Sequence, residues 1–175
     1  KGRTPQVLEA RSWVARAVLN DRHFARAIRD ASRVHRLTFR RLRTASPDAE
    51  PHIAMALGAS IEVIAQAMAH QGSHVEAVQF LKQELAKFGT TSIRTRIRKN
   101  LNILTLEGQR APELEIREWL GPKPQSLIKL RGGPVLLFFW VHYCEDSRTQ
   151  GRVFARVWNR FSTRRLSAVA PPPPV

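Results

Sequence analysis

Residues 135–147 read Val-Leu-Leu-Phe-Phe-Trp-Val-His-Tyr-Cys-Glu-Asp-Ser, and their reading decides how the second part of the chain folds. Gly132-Gly133-Pro134 precedes seven apolar residues in a row, Val135 to Val141. β-Branched and aromatic residues bounded by Gly-Pro predict a strand buried on both faces. No longer apolar run exists in the chain, so no membrane-spanning helix is expected. The pattern changes at Tyr143. Glu145 and Asp146 suit the first turn of a helix, expected to run through about Phe161. Cys144 therefore falls at a strand-to-helix junction, where unpaired N–H groups and the positive end of the helix dipole favour a thiolate. A further strand is expected at 166–170, before Pro171 to Pro174 forbid helix or ladder. Upstream, alternation around Leu114 and Ile116 predicts a short strand, followed by a loop with Gly121, Pro122 and Pro124.

Before residue 108 the chain is rich in Ala, Arg and Leu and reads as helices. Thr4-Pro5 caps a first helix over about 6–19, with apolar Val7, Leu8, Val14 and Val18. Asn20 and Asp21 punctuate, and a long helix is expected from 22 to 44. Ser46-Pro47-Asp48 marks a turn. A third helix spans about 49–70 and ends at Gly72, a fourth covers 74–87 and stops at Gly89, and a fifth runs to about 105. Phe24-Ala25-Arg26-Ala27-Ile28 and His74-Val75-Glu76-Ala77-Val78 hold the same place in two helix–turn–helix units. The fold class expected is α/β, mainly α, with residues 1–107 helical and 108–175 forming a second region.

The chain of 175 residues carries 29 basic and 14 acidic residues, a net charge of +15, which points to an anionic partner without naming it. Arg22, Arg26, Arg29, Arg33, Arg36, Arg40 and Arg43 step by four and three. On one helix they fall within about 100° of each other. Phe24, Ile28, Ala31, Thr38 and Leu42 take the other side. This face is a candidate anion-binding surface for nucleic acid, acidic lipid or an acidic protein, and equally a solvated helix face. No aromatic residue interleaves to stack bases. One cysteine excludes an internal disulfide and a cysteine-built zinc site. The six His are scattered and no Gly-rich phosphate loop occurs, so no metal or cofactor is expected.

Two resemblances follow from these residues. Ile61, Ile64, Ala65, Met68, Gly72, Ala77 and Leu81 fall at spacings that resemble the tetratricopeptide repeat, which implies a scaffold or a protein partner on the helical array. Ala111-Pro112-Glu113-Leu114-Glu115, Leu130-Arg131-Gly132-Gly133-Pro134, the apolar run 135–140 and Tyr143-Cys144 occur in the order of a known family. Residues 111–170 resemble the thioredoxin-like redoxins of the membrane-anchored disulfide reductase and alkyl hydroperoxide reductase type.

That resemblance implies thiol–disulfide exchange with protein thiols or disulfides. Cys144 takes the place of the attacking thiol, beside Trp140 and with Tyr143 where Trp is usual. Ser147 stands at the position of the resolving Cys. A hydroxyl can hydrogen-bond a thiolate but cannot close a disulfide, so a mixed disulfide on Cys144 would need an external thiol for release. About 64 residues remain from Pro112, against about 100 by the family's pattern. The expectation is a C-terminally truncated, impaired redoxin of monothiol type. The alternative is a non-catalytic helical adaptor or an anion-binding protein. Relatives of this kind imply an extracytoplasmic place with a leader removed; the residues themselves leave a cytoplasmic one open.

Overall fold

A computed structural model describes residues 4–42, 46–116, 119 and 123–170. Arg43 of the arginine series, Gly121 and Pro122 of the loop, and Pro171 to Pro174 lie outside the described residues. Among the described residues the protein is mainly helical, with six α-helices and two three-residue strands. The chain divides into two compact units, Lys1–Gln109 and Arg110–Val175.

The first unit holds α1 (Pro5–Asn20), α2 (Phe24–Arg41), α3 (Pro51–His70), α4 (His74–Phe88) and α5 (Arg94–Thr105). Thr4 caps α1, its hydroxyl accepting the Val7 N–H at 3.4 Å, and Pro5 fills the first turn where no N–H partner is needed. α1 and α3 end in the same way. The His23 N–H donates to the Val18 carbonyl and the Arg22 N–H to Leu19; fifty residues on, Ser73 donates to Met68 and Gly72 to Ala69. In each turn the residue after the cap has positive φ, 61° at Arg22 and 88° at Gly72. These paired bonds satisfy carbonyls that the helix end leaves open.

The long helix expected from 22 begins only at Phe24, so Arg22 belongs to a left-handed turn and not to the helix. The face of α2 toward the core carries Ala27, Ala31, Val34 and Thr38, while Phe24 and Ile28 are half-buried. Thr38 is buried inside α2 with its hydroxyl satisfied, donating back to the Val34 and His35 carbonyls at 3.0 and 2.8 Å.

α3 is the hub. It touches each of the other four helices of the unit. Ala15, Ala27, Ala31 and Ala67 let α1, α2 and α3 approach closely, and Leu57, Ile61, Ala65 and Leu81 join α3 to α4 and α5. By length and composition α3 is the one helix among the described residues apolar enough to cross a membrane, yet 67% of that stretch is buried inside the unit. A helix apolar on all sides is what a position surrounded by other helices requires.

The second unit holds β1 (Val135–Leu137), α6 (Glu145–Phe161) and β2 (Ser167–Val169). The strands pair in parallel, Val135 opposite Ser167 and Leu137 opposite Val169, and α6 makes the crossover. The Ser167 N–H donates to the Pro134 carbonyl at 3.0 Å and the Phe138 N–H to Val169 at 2.9 Å. Phe154 of α6 stacks on Phe138 with ring centroids 5.0 Å apart. Two expectations are corrected here. The apolar run is not a strand buried on both faces: only three of its residues pair, all are partly exposed, and Phe139 is 60% exposed. β2 is its one partner among the described residues, too little to cover two faces. Leu114 and Ile116 form no strand among the described residues.

Candidate functional site

Cys144 is the N-cap residue of α6, with extended backbone angles (φ −92°, ψ 121°). Its own N–H donates to the Val141 carbonyl at 3.2 Å, and its carbonyl accepts the Arg148 N–H that begins the helix. The thiol is free and half-buried. The Ser147 N–H, then the Ser147 hydroxyl, then the Asp146 N–H hold its pKa below the ordinary thiol value, while slight burial and the Asp146 carboxylate push the other way. Hydrogen bonds to the charged form win over one neighbouring negative charge. Cys144 thus stands at a helix start whose first-turn N–H groups favour a thiolate, although its side chain makes no capping hydrogen bond.

Ser147 also accepts the Val141 N–H on its Oγ at 3.2 Å, so one hydroxyl ties the chain entering the junction to the first turn of α6. Trp140 is half-buried and its indole N–H donates to the Ala170 carbonyl at 3.3 Å, beyond the end of β2. Tyr143 is 75% exposed, with the His142 ring edge-on at 5.1 Å. His142 is not among the groups that act on the thiol. Of the four residues singled out, Cys144 and Ser147 come together, Trp140 buttresses the end of the sheet, and Tyr143 presents its ring to solvent.

The arginine series separates. Arg26, Arg29, Arg33, Arg36 and Arg40 lie exposed on α2, whereas Arg22 stands in the turn before it. Arg26 is 3.5 Å from Asp30. No carboxylate among the described residues makes an ion pair with Arg29, Arg33, Arg36 or Arg40. A second set, Arg148, Arg152, Arg156 and Arg160, recurs every four residues on exposed positions of α6, a spacing that sequence reading could have found.

Two buried carboxylates were not legible as sites. Glu62 on α3 is 5% exposed and receives Arg16 of α1 at 2.7 Å, with Arg96 and Lys99 of α5 at 3.6 and 3.8 Å. Gln66, one turn on, bonds Glu62 at 3.4 Å and Asn100 at 2.9 Å. Glu84 on α4 is 1% exposed, 2.9 Å from His35 Nε2 of α2 and 2.7 Å from Lys87. Both are fully partnered and join helices distant in sequence, the pattern of structural ion pairs. No group of three His, Cys, Asp or Glu residues is gathered for a metal among the described residues. No protein-family model matches the chain, and no curated protein or solved structure matches it.

Proposed function

We propose that the second unit is a thioredoxin-like redoxin in which Cys144 carries out thiol–disulfide exchange as a monothiol. The first unit is then a tetratricopeptide-like scaffold. The observation that carries the reading is the position of Cys144: it is the N-cap residue of α6, seven residues after the end of β1, with the Ser147 N–H and hydroxyl and the Asp146 N–H lowering the thiol's pKa. The parallel β1–α6–β2 arrangement supports it, as does the ordered set of motifs from Ala111 to Cys144. The repeated turn at Arg22 and Gly72 supports the reading of the first unit.

In the proposed step the Cys144 thiolate attacks one sulfur of a substrate disulfide. A mixed disulfide forms and the other substrate sulfur leaves as a thiolate, so the bond is exchanged without net oxidation. Ser147 can stabilise the thiolate before attack and cannot resolve the adduct. Release requires a second thiol from outside, which attacks the mixed disulfide and restores Cys144. Turnover is therefore slow without added thiol.

The test is the pH dependence of Cys144 alkylation together with reaction with an aromatic disulfide that releases a coloured thiolate. A midpoint below the free thiol's roughly 8.5, one equivalent of colour, and renewal only on adding thiol are expected. A midpoint at or above that value would overturn the reading.

A further inference from the structure

We propose that the arginine row of α2 is a docking track for the phosphate backbone of a nucleic acid, read without sequence preference. This surface is independent of Cys144. Arg26, Arg29, Arg33, Arg36 and Arg40 are all exposed. At 100° per residue they fall within about 80° of one another, and at 1.5 Å per residue they span about 21 Å. That length covers about six phosphates along one strand of a duplex. Four of the five make no ion pair with a described carboxylate, and Arg26 shares Asp30 at 3.5 Å. Like charges at these spacings repel, a cost that an anionic partner removes.

The shape of the row separates the kinds of anion. It is a line one helix wide, made only of Arg, whose planar fork meets phosphate oxygens two at a time. A lipid surface is gripped by apolar side chains entering the interface beside the charges. A protein partner is gripped by an aromatic or aliphatic anchor. Neither stands among the five arginines, and the two apolar side chains that border them are held by the unit itself. Leu37, on one border, packs against the Leu8, Val34 and Ile53 cluster. Phe39, on the other, is 44% exposed, but its ring is already engaged by His35 and Phe88, with centroids 6.2 and 6.3 Å away, and by Lys87 Nζ 5.8 Å above it. With no ring inside the row to stack on a base and no amide in it to read a base edge, charge dominates, and the net charge of +15 steers a polyanion toward the protein.

The experiment uses the full chain, a homopolymeric DNA strand, a mixed-sequence strand and a duplex, each longer than the row, titrated between about 50 and 200 mM salt. Binding to all three is expected. The log–log salt slope gives the number of phosphates neutralised, about 0.7 per phosphate for a single strand. Arg29→Gln/Arg33→Gln/Arg36→Gln should make that slope shallower by about two without lowering the circular dichroism melt, because these side chains make no ion pair among the described residues and repel one another. Arg152→Gln/Arg156→Gln/Arg160→Gln removes the same charge from α6 and should leave the slope nearly as it was. Equal loss in both variants would show a response to net charge alone and overturn the assignment. So would binding to phosphatidylserine vesicles but not to DNA, or no binding to any of these.

Discussion

Arg22 and Gly72 occupy the same position in two turns fifty residues apart, each the positive-φ residue that closes a helix hairpin. Gly adopts that conformation at no steric cost, whereas a side-chain-bearing residue is strained there by about 1 kcal/mol or more. The Arg22 side chain makes no hydrogen bond or ion pair among the described residues. Arg22→Gly is therefore expected to raise the unfolding free energy by about 0.5–1 kcal/mol, and Gly72→Ala to lower it by about 1 kcal/mol. Urea unfolding of the two variants checks both signs at once.

Glu62 balances three cations that arrive from α1 and α5. Glu62→Gln keeps the shape and removes the charge, leaving Arg16 half-buried against its neighbours. A loss of about 3 kcal/mol is expected, at the low end for breaking a buried pair because the cations reach water. Arg16→Gln should cost less, since Arg96 and Lys99 remain. The ranking in denaturant midpoints is the readout.

Glu84 makes a pH prediction. Burial pushes its carboxyl up, but hydrogen bonds and charge from His35 and Lys87 more than offset this and hold it below the ordinary 4.5. Its contribution to stability is fully present above that ordinary value and is lost as pH falls through the lower folded value. Glu9 and Asp48 are also held down, so the wild-type slope is a sum. The difference between wild type and Glu84→Gln isolates Glu84: large at neutral pH, shrinking toward acid. His35→Leu should cost about 2 kcal/mol at neutral pH, the value of a hydrogen bond to a charged group.

The thiol offers opposite signs at adjacent positions. Ser147→Ala removes the hydroxyl and keeps the N–H, so the alkylation midpoint of Cys144 rises only part of the way toward a free thiol. Asp146→Asn removes the repelling carboxylate and keeps its N–H, so the midpoint falls. If both substitutions moved it in the same direction, the hydrogen-bonding account of this site would be wrong.

Much of the helical unit was legible because its stops are local. Pro5, Asn20-Asp21, Gly72 and Gly89 each act within one turn of themselves, and the helices end beside them. Arg22 was misread because Arg announces nothing about positive φ; the hairpin's geometry imposes it. Glu62 is a lone acid in an apolar stretch of sequence, and its partners lie 46 residues before it and 34 and 37 after. The apolar run 135–141 carried strand propensity, but propensity does not say how many neighbours a strand finds. At the candidate site, the Cys144–Ser147 pairing follows from spacing on a first turn. The Ser147 bond to the Val141 N–H does not, since it depends on how the chain bends before the helix.

The central place of α3 has a consequence for how the first unit comes apart. In a long repeat array the ends can fray one repeat at a time, whereas a short one built on a single central helix has no independent end. Here, removing the α1–α2 hairpin or α5 strips the same helix, α3, and exposes its apolar surface to water. The slowest backbone amides of α1 through α5 are therefore expected to exchange with solvent at one shared opening free energy. Two tiers, an outer and an inner, would show that α3 stays covered when one of its neighbours opens.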